Sequence, residues 1–151
     1  MDIVIDSLLR GAENSKGIVV IVDVFRCFTT EAVAFNNGAE KIILVATVEE
    51  AIELKKLGVG DILMGEISGK KPNGFDFGNS PAEIIGVDFS GKTIIQSTRA
   101  GTVGVASASD ADMIFGGSFV VASATSAIIK SYFPDLVTIV AISNYSNQIR
   151  E

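Results

Sequence analysis

The segment Ile18-Val-Val-Ile-Val22, directly followed by Asp23, indicates the fold of this chain. A continuous run of β-branched residues is typical of a strand that is buried on both faces, as in a parallel sheet. Thr29-Thr30-Glu31 begins a predicted helix, because hydroxyl side chains cap helices and an early acid suits the helix dipole. Asn37-Gly38 then ends this helix. The stretch predicts a strand–helix unit with a carboxylate at the end of the strand.

The same alternation of apolar runs and helical segments continues along the chain. Thr47 is the predicted cap of a second helix over residues 48–57, with acids in its first turn and lysines in its last. A helix is expected between each pair of strands, and this alternation predicts an α/β fold. We expect a layered α/β/α arrangement with a mixed, largely parallel sheet, forming a single domain over residues 1–151. The further predicted strands are 42–46, 61–64, 93–96, 113–115 and 137–142.

A faint internal repeat accompanies this pattern. Arg26-x-x-Thr29 recurs as Arg99-x-x-Thr102, each time just after a predicted strand and at the start of a helix. Duplication of a strand–helix–strand unit explains the repeat, and so does the common physics of α/β units. In either case both arginines follow the carboxyl ends of strands, which is where open α/β sheets bind ligands.

The composition excludes several kinds of chemistry. The chain has 151 residues, 48% of them hydrophobic, and a mean hydropathy of +0.44, so it can form a real core. It has no His, which excludes Ser-His and Cys-His nucleophilic catalysis and His-ligated zinc. Its one cysteine excludes an internal disulfide and a multi-Cys metal site. The formal net charge of -6 argues against nucleic acid as a partner.

The start of the chain does not have the pattern of a targeting segment. Met1 to Arg10 contains Asp2 and Asp6 and lacks a basic leading region, so it is a poor signal peptide. No apolar run approaches the roughly 18 residues that a membrane-spanning helix needs. We therefore expect a cytoplasmic protein with no membrane partner. The high apolar content leaves a homo-oligomer open.

Residues 86–93 match the phosphate-binding P-loop pattern letter for letter, from Gly86 to Gly91-Lys92-Thr93. In that motif a strand precedes the glycines and a helix follows the lysine, so that amides cradle phosphate at the helix N-terminus. Here a helix-like segment precedes and the β-run from Thr93 to Gln96 follows. We interpret residues 90–92 as the turn into a strand and the match as accidental.

The segment from Asp23 to Thr30 has two interpretations. A phosphatase of the haloacid dehalogenase type is excluded, because its second Asp is replaced by Phe25. The first interpretation is a buried ion pair between Asp23 and Arg26 with a helix cap. The second is an Asp23 that binds Mg²⁺ or activates water, beside an Arg26 that binds an oxyanion. Cys27 is similarly either a packed, inert thiol or one activated by the helix N-terminus.

Residues 65–81 form a predicted long loop, and loops of this length inside a domain are usually functional or mobile. Its glycines allow backbone amides to approach an anion, and its acids can hold a hard cation. Two further clusters of hydroxyls and glycines, at residues 97–102 and 116–118, follow predicted strands. With the Asp23 segment, these clusters point to a site for phosphate or another oxyanion. The polar residues of the loop are Glu66, Lys70, Lys71, Asp76 and Asn79.

These clusters occur in an order that resembles the 2-phosphosulfolactate phosphatases, Mg²⁺-dependent phosphatases of coenzyme M biosynthesis. The most specific string is Gly74-Phe-Asp-Phe-Gly-Asn-Ser-Pro81. The family pattern often has Asn where this chain has Ala100 and Val121, and family members usually continue beyond residue 142, so a shorter member is expected. The other matching segments are residues 19–30, 37–39, 45–51, 65–66, 91–93, 97–102 and 117–119.

The resemblance implies hydrolysis of a small phosphorylated sulfonate, 2-phosphosulfolactate, to sulfolactate and phosphate. It implies an Mg²⁺ ion held by some of Asp23, Glu66 and Asp76. A non-catalytic relative that binds an oxyanion or has a regulatory role is the alternative. The implied catalytic residues are Asp23, Arg26, Glu66 and Arg99, and the implied substrate-binding residues are Thr29, Thr30, Asp76, Asn79, Thr98, Gly101, Thr102 and Ser118.

Overall fold

The computed structural model describes residues 1–143, which form seven strands, five α-helices and one 3₁₀ helix. Residues 144–151, the end of the predicted single domain, lie outside the described part. The strands are β1 (Asp2–Ser7), β2 (Gly17–Val22), β3 (Lys41–Val45), β4 (Ile62–Gly65), β5 (Thr93–Ser97), β6 (Ala111–Gly117) and β7 (Leu136–Ala141). The helices are α1 (Leu8–Glu13), α2 (Cys27–Asn36), α3 (Val48–Lys56), α4 (Gly101–Ser107) and α5 (Ala122–Ser131), with the 3₁₀ helix at Pro81–Ile84.

The strands form two sheets, in which every strand pair is parallel. The first sheet has the order β1-β7-β2-β6 and the second has the order β3-β5-β4. The predicted α/β class with parallel pairing is therefore confirmed. The single mixed sheet is replaced by two sheets, because α2 and α4 each carry the chain from one sheet to the other.

The two predicted repeat units cross between the sheets in opposite directions. The unit β2–α2–β3 starts in the first sheet and ends in the second, whereas β5–α4–β6 starts in the second and ends in the first. Helix α4 contacts β2 as well as β3 and β5, so it joins the two sheets. This reciprocal arrangement is what a duplicated strand–helix–strand unit would produce, and it brings the carboxyl ends of β2 and β5 together.

Apolar clusters cover the faces of the two sheets unequally. Val19 and Ile21 of β2 pack with α1 and α2 on one face of the first sheet. The second sheet is covered on both faces, by α2 with the 3₁₀ helix on one side and by α3 on the other. The remaining face of the first sheet, which presents Ile18, Val20 and Val137, packs mainly against Ile129 of α5. This last face is the least covered part of the fold.

Two elements differ from the pattern expected from the sequence. Strand β1 was not predicted, because Asp2 and Asp6 interrupt its apolar residues, and all six of its side chains are exposed. Between β4 and β5 the expected helix is only the 3₁₀ turn at Pro81–Ile84, because residues 66–80 form the predicted long loop. The Thr47 cap is confirmed, since its hydroxyl accepts a hydrogen bond from the Glu50 amide at 3.2 Å.

The helices of the described part are short. The longest, α2 and α5, have ten residues each. Within residues 1–143 no helix has the length and apolar character that crossing a membrane requires.

Candidate active site

Asp23 occupies the centre of the edge where the carboxyl ends of β2 and β5 meet. It follows β2, is only 7% exposed, and its backbone amide donates to the Gly117 carbonyl at 3.1 Å. The backbone amides of Phe25, Cys27 and Gly101 lie near its carboxylate and act to lower its pKa. The start of α2 and the first residue of α4 therefore both border this carboxylate.

The contact between α4 and Asp23 depends on the absence of a side chain at Gly101. A β-carbon at this position would lie 2.6 Å from the Cys27 Sγ atom and 3.1 Å from the Asp23 Oδ2 atom. The glycine is therefore required by the close approach of two helix starts rather than by its backbone conformation. This explains physically why a residue predicted to bind substrate is a glycine.

Glu66 supplies a second buried carboxylate from the second sheet. It directly follows β4, is 6% exposed, and its backbone amide donates to the Ser97 carbonyl at 3.0 Å. Its Oε1 accepts from the Arg99 amide at 2.9 Å and its Oε2 from the Gly69 amide at 2.6 Å. Each oxygen has one amide partner and a further lone pair, so Glu66 can also bind a cation.

The charge of Glu66 acts on the Asp23 carboxylate. Burial raises the pKa of Asp23, and the nearby charge of Glu66 raises it further, while the backbone amides of Cys27, Gly101 and Phe25 partly counter this. A cation beside both groups would remove their repulsion. The pair therefore fits a divalent ion such as Mg²⁺, which proteins commonly hold through one or two carboxylates together with substrate oxygens.

The two predicted arginines carry charges that no carboxylate of the described residues neutralises. Within residues 1–143 the one ion pair joins Lys55 to Asp76, so the alternative of an Asp23–Arg26 pair is not what the structure forms. Arg26 is partly exposed at the start of α2, and the exposed Arg99 donates from Nη1 to the Ser68 hydroxyl at 2.9 Å. Such guanidinium groups are available to bind a planar or tetrahedral anion.

Glu66 and Arg99 open into a cleft of about 300 Å³ between the loop and the start of α3. Ser97 and Thr98 also line the cleft, together with residues 46–49. Its size suits a small molecule, and it places a buried acid and an exposed guanidinium on the same wall.

The predicted threonines hold the helix starts in place. Thr98 and Thr102 bond reciprocally, since the Thr102 hydroxyl donates to the Thr98 carbonyl at 2.8 Å and the Thr98 amide donates back to that hydroxyl at 2.8 Å. The Thr29 hydroxyl donates to the Val24 carbonyl and the Thr30 hydroxyl donates to the Arg26 carbonyl, both at 2.9 Å. These hydroxyl protons are already engaged, so the threonines act here by shaping α2 and α4.

Three other predicted site residues have different surroundings. Asp76 forms the ion pair with Lys55 and accepts from the Leu63 amide at 2.8 Å. Partial burial acts to raise its pKa, but these two partners together hold the pKa of Asp76 below its ordinary value. Asn79 is buried and accepts from Gln96 at 3.4 Å, and Ser118 is buried at the end of β6. Asp76 thus has its own cation, whereas Asp23 feels the charge of Glu66. Residues 1–143 contain no group of three acidic or thiol side chains that could hold a metal ion.

Sequence reasoning missed a buried polar cluster behind Asp23. The Cys27 thiol, fully buried, donates to Glu31 Oε1 at 3.2 Å, and Gln96 Nε2 approaches the sulfur at 3.7 Å. Burial raises the pKa of the Cys27 thiol far above its ordinary value, which supports the packed, inert interpretation. Glu31 was interpreted only as an early helix acid, although its position four residues after Cys27 places both on one helix face.

The carboxyl group of Glu31 is an unusual member of this cluster. Glu31 is partly exposed as a residue, but its carboxyl group is buried. Burial, with a smaller contribution from the charge of Asp23, raises the pKa of Glu31 to about 7, although the Cys27 hydrogen bond lowers it in part. Gln96, the other member of this cluster, could have been recognised in the sequence, because it is a polar residue inside an otherwise apolar strand.

The P-loop match proves accidental, as expected. Ser90 and Gly91 form a turn, in which the Ser90 amide donates to Asp88 Oδ1 at 2.9 Å, and Thr93 begins β5 rather than a helix. The site is therefore defined by Asp23, Glu66 and the two arginines. These features define the class: an α/β protein with paired buried carboxylates and unneutralised arginines at the carboxyl ends of its parallel strands.

Comparison with known proteins identifies the family. The family model described as 2-phosphosulpholactate phosphatase matches residues 4–150, so the chain belongs to this family. A relative from Carboxydothermus hydrogenoformans is 43% identical over 129 residues, which is 85% of this chain and 52% of the relative. One from Thermoplasma acidophilum is 40% identical over 122 residues, covering 81% and 55%, and one from Bacillus subtilis is 36% identical over 113 residues, covering 75% and 50%. All three are named "Probable 2-phosphosulfolactate phosphatase", and this chain spans about half of their length.

Proposed function

We propose that this protein is a magnesium-dependent phosphomonoester hydrolase whose substrate is 2-phosphosulfolactate. The observation that carries the proposal is that two buried carboxylates, Asp23 and Glu66, follow parallel strands, with the charge of Glu66 acting on Asp23. Arg26 and Arg99 follow strands of the same two sheets. The family and the names of the relatives supply the substrate. The reaction adds water across the ester, breaks the bond between phosphorus and the ester oxygen, and releases sulfolactate and inorganic phosphate.

Asp23 and Glu66 are the residues that would hold the Mg²⁺ ion. Backbone amides orient the oxygens of both carboxylates, and the repulsion between the two acids favours a cation beside them. When bound, the ion would neutralise phosphate charge and lower the pKa of a water molecule. Asp76, which the family resemblance also implicates, has its own cation in Lys55 and is assigned a structural role.

Arg26 and Arg99 would bind the anionic groups of the substrate. A guanidinium group can form two parallel hydrogen bonds to a phosphate, sulfonate or carboxylate, and all three groups are present in 2-phosphosulfolactate. Phosphoryl transfer depends mainly on positioning and on stabilising the charge of the non-bridging oxygens. The wall of the cleft that carries Glu66 and Arg99 can perform both tasks.

A phosphate-release assay tests this function. The purified chain is incubated with 2-phosphosulfolactate and Mg²⁺, and the Asp23→Asn, Glu66→Gln and Arg99→Ala variants are compared with it. Removing one charge-stabilising group is expected to lower kcat by about 10²–10³-fold. Asp88→Asn is the matched control, because Asp88 is exposed and lies in the turn before β5.

Two outcomes would reject the catalytic proposal. Unchanged rates in the Asp23→Asn and Glu66→Gln variants would remove these carboxylates from the reaction. If phosphate or sulfolactate raises the melting temperature of the wild-type chain while no phosphate is released, the protein is the oxyanion-binding relative instead.

A further inference from the structure

An apolar groove of about 330 Å³ runs along the uncovered face of the first sheet. It lies between strand β1 and helix α5, on the side of the sheet away from α1. The apolar cluster on this face is the smallest of the four described above. Of the ten residues of α5 only Ile129 is buried. Side chains that line the groove include Ile3, Val20, Val22, Ile129, Val137 and Ile139.

Large apolar side chains around this groove are exposed to an unusual extent. Ile3 is 56% exposed on the edge strand, and Phe119, which follows β6, is 79% exposed. Soluble monomers rarely expose contiguous apolar surface of this kind, and such patches usually mark an interface.

The groove also contains a polar atom that lacks a partner. Ser118 is one of the residues that line the groove and is 4% exposed, and its buried hydroxyl oxygen makes no hydrogen bond within the described part of the chain. A buried hydroxyl without a partner costs about 1–3 kcal/mol, so native structures normally satisfy it. An occupant of the groove should therefore be mostly apolar and should provide a hydrogen-bonding group, as a polypeptide backbone does.

The relatives indicate which polypeptide this is. The chain matches only 52% of the Carboxydothermus hydrogenoformans protein and 55% of the Thermoplasma acidophilum protein. The other half of each relative has to pack somewhere, and three of the four sheet faces of the matched half are already covered. Strand β7 ends at Ala141, which pairs in register with the groove residue Val22, so the end of β7 lies beside the groove.

We propose that the apolar groove is the docking surface for a polypeptide equivalent to the part of these relatives that this chain does not match. The apolar side chains of this polypeptide would cover β1 and α5, and its backbone would form a hydrogen bond with the Ser118 hydroxyl. Because Ser118 and Phe119 follow β6, whose neighbour β2 leads to Asp23, the docked segment would also border the edge that carries the candidate active site. The proposal rests on family membership and on the uncovered face, and it is independent of whether the site hydrolyses a phosphate ester.

Co-expression tests the proposal. The 151-residue chain, carrying an affinity tag, is produced together with the untagged part of the Carboxydothermus hydrogenoformans relative that this chain does not match. A one-to-one complex is expected on affinity purification, with its mass confirmed by light scattering after size exclusion. In the Ile3→Glu and Phe119→Glu variants the recovery of the untagged polypeptide should fall about tenfold or more, because a buried charge would replace an apolar anchor.

A matched variant separates this interface from general surface effects. Leu57→Glu introduces the same charge at a side chain that is 70% exposed at the end of α3, next to the second sheet, and should leave the complex intact. Circular dichroism confirms that the exposed substitutions leave the fold unchanged. Three results would overturn the proposal: no complex with the wild-type chain, equal recovery with the Ile3→Glu and Phe119→Glu variants, or a dimer of this chain alone that those two substitutions dissociate.

Discussion

At the scale of single residues, the acids of the site differ in how burial and hydrogen bonds shift their pKa values. Asp23 and Glu31 are both buried near Cys27, yet only Asp23 has three backbone amides as partners. Hydrogen bonds from the backbone amides, and from the Cys27 thiol to Glu31, favour the charged form of a carboxyl group, whereas burial favours the neutral form. Glu31 is thus the acid of this cluster that changes its protonation state close to neutral pH.

The raised pKa of Glu31 makes stability depend on pH. The folded protein holds the Glu31 proton up to about pH 7, whereas the unfolded chain releases it near pH 4.5. The folding stability that this proton supplies is therefore complete below pH 4.5 and is lost as the pH rises through about 7. We expect the Glu31→Gln variant to gain up to about 3 kcal/mol relative to the wild type between pH 5 and pH 8, measured by urea unfolding.

The comparison of the wild type with the Glu31→Gln variant isolates the contribution of the Glu31 carboxyl group. Burial also raises the pKa of Asp23, but Asp23 is present in both proteins, so its contribution cancels in the difference. Glu40→Gln, at an exposed position after α2, is the matched control for replacing a carboxylate that is not buried. Parallel pH profiles for the wild type and Glu31→Gln would show that Glu31 is ionised throughout this range.

At the scale of the elements, α4 is the helix on which the site depends. Its first residue, Gly101, approaches Cys27 and Asp23 so closely that a β-carbon has no room. Helix α4 also contacts strands of both sheets, so a shift of its N-terminus moves groups on either side of the site.

Substitution of Gly101 tests this contact. The Gly101→Ala variant should unfold with a free energy lower by about 1–3 kcal/mol, because the added methyl group forces the start of α4 away from Asp23. Stabilisation of the protein by Mg²⁺ with phosphate should be lost at the same time. Both effects are measured by thermal unfolding with and without the two ions.

A glycine elsewhere provides the control for that substitution. Gly86 has a positive φ of 75° and no neighbouring atom within 4 Å of an added β-carbon. Gly86→Ala therefore introduces only backbone strain and should keep the full response to Mg²⁺ with phosphate. An equal response in the Gly101→Ala variant would show that the close approach of α4 has no role in the site.

The elements also show which parts of the fold could be predicted from the sequence. The run Ile18–Val22, the Thr47 cap and the strand ends before Asp23 and Arg99 are local signals, and the structure confirms them. Strand β1 has no such signal, because it owes its existence to parallel pairing with β7 at the far end of the chain. No local sequence pattern predicts the division into two sheets either, since it depends on which strands α2 and α4 connect.

For the candidate site, the sequence predicted where residues lie along the strands and helices better than which side chains they contact. Asp23, Glu66 and the two arginines all follow strands or start helices, as their motifs indicated. The separation of Asp76 from the other acids could not be predicted, because Lys55 lies on a different element and only the folded chain brings the two together. Glu31 was overlooked because its burial results from packing between α2 and the elements around Cys27.

At the scale of the whole molecule, the two sheets form one cooperative structure. Helices α2 and α4 carry the chain from one sheet to the other, and each sheet contains one strand from each crossing unit. Neither sheet can therefore separate from the other without disrupting a helix whose ends belong to both. This connectivity should couple the stability of the two sheets.

Hydrogen exchange in urea tests this coupling. Amides of β2 in the first sheet and β5 in the second should become exposed with the same free energy and the same dependence on urea concentration. Exchange followed by mass spectrometry measures both strands in one sample. Earlier exposure of β3, β4 and β5 than of β2 would show that the second sheet unfolds on its own.

The pairing of β1 with β7 has a consequence for the response to mechanical force. The two strands are parallel and in register over six residue pairs, from Asp2 with Leu136 to Ser7 with Ala141. Tension applied between the start of β1 and the end of β7 runs along both strands, so it loads their hydrogen bonds in shear. All these bonds then resist together, whereas peeling would break them one after another. A strand whose side chains are all exposed is in this way the mechanical clamp of the first sheet.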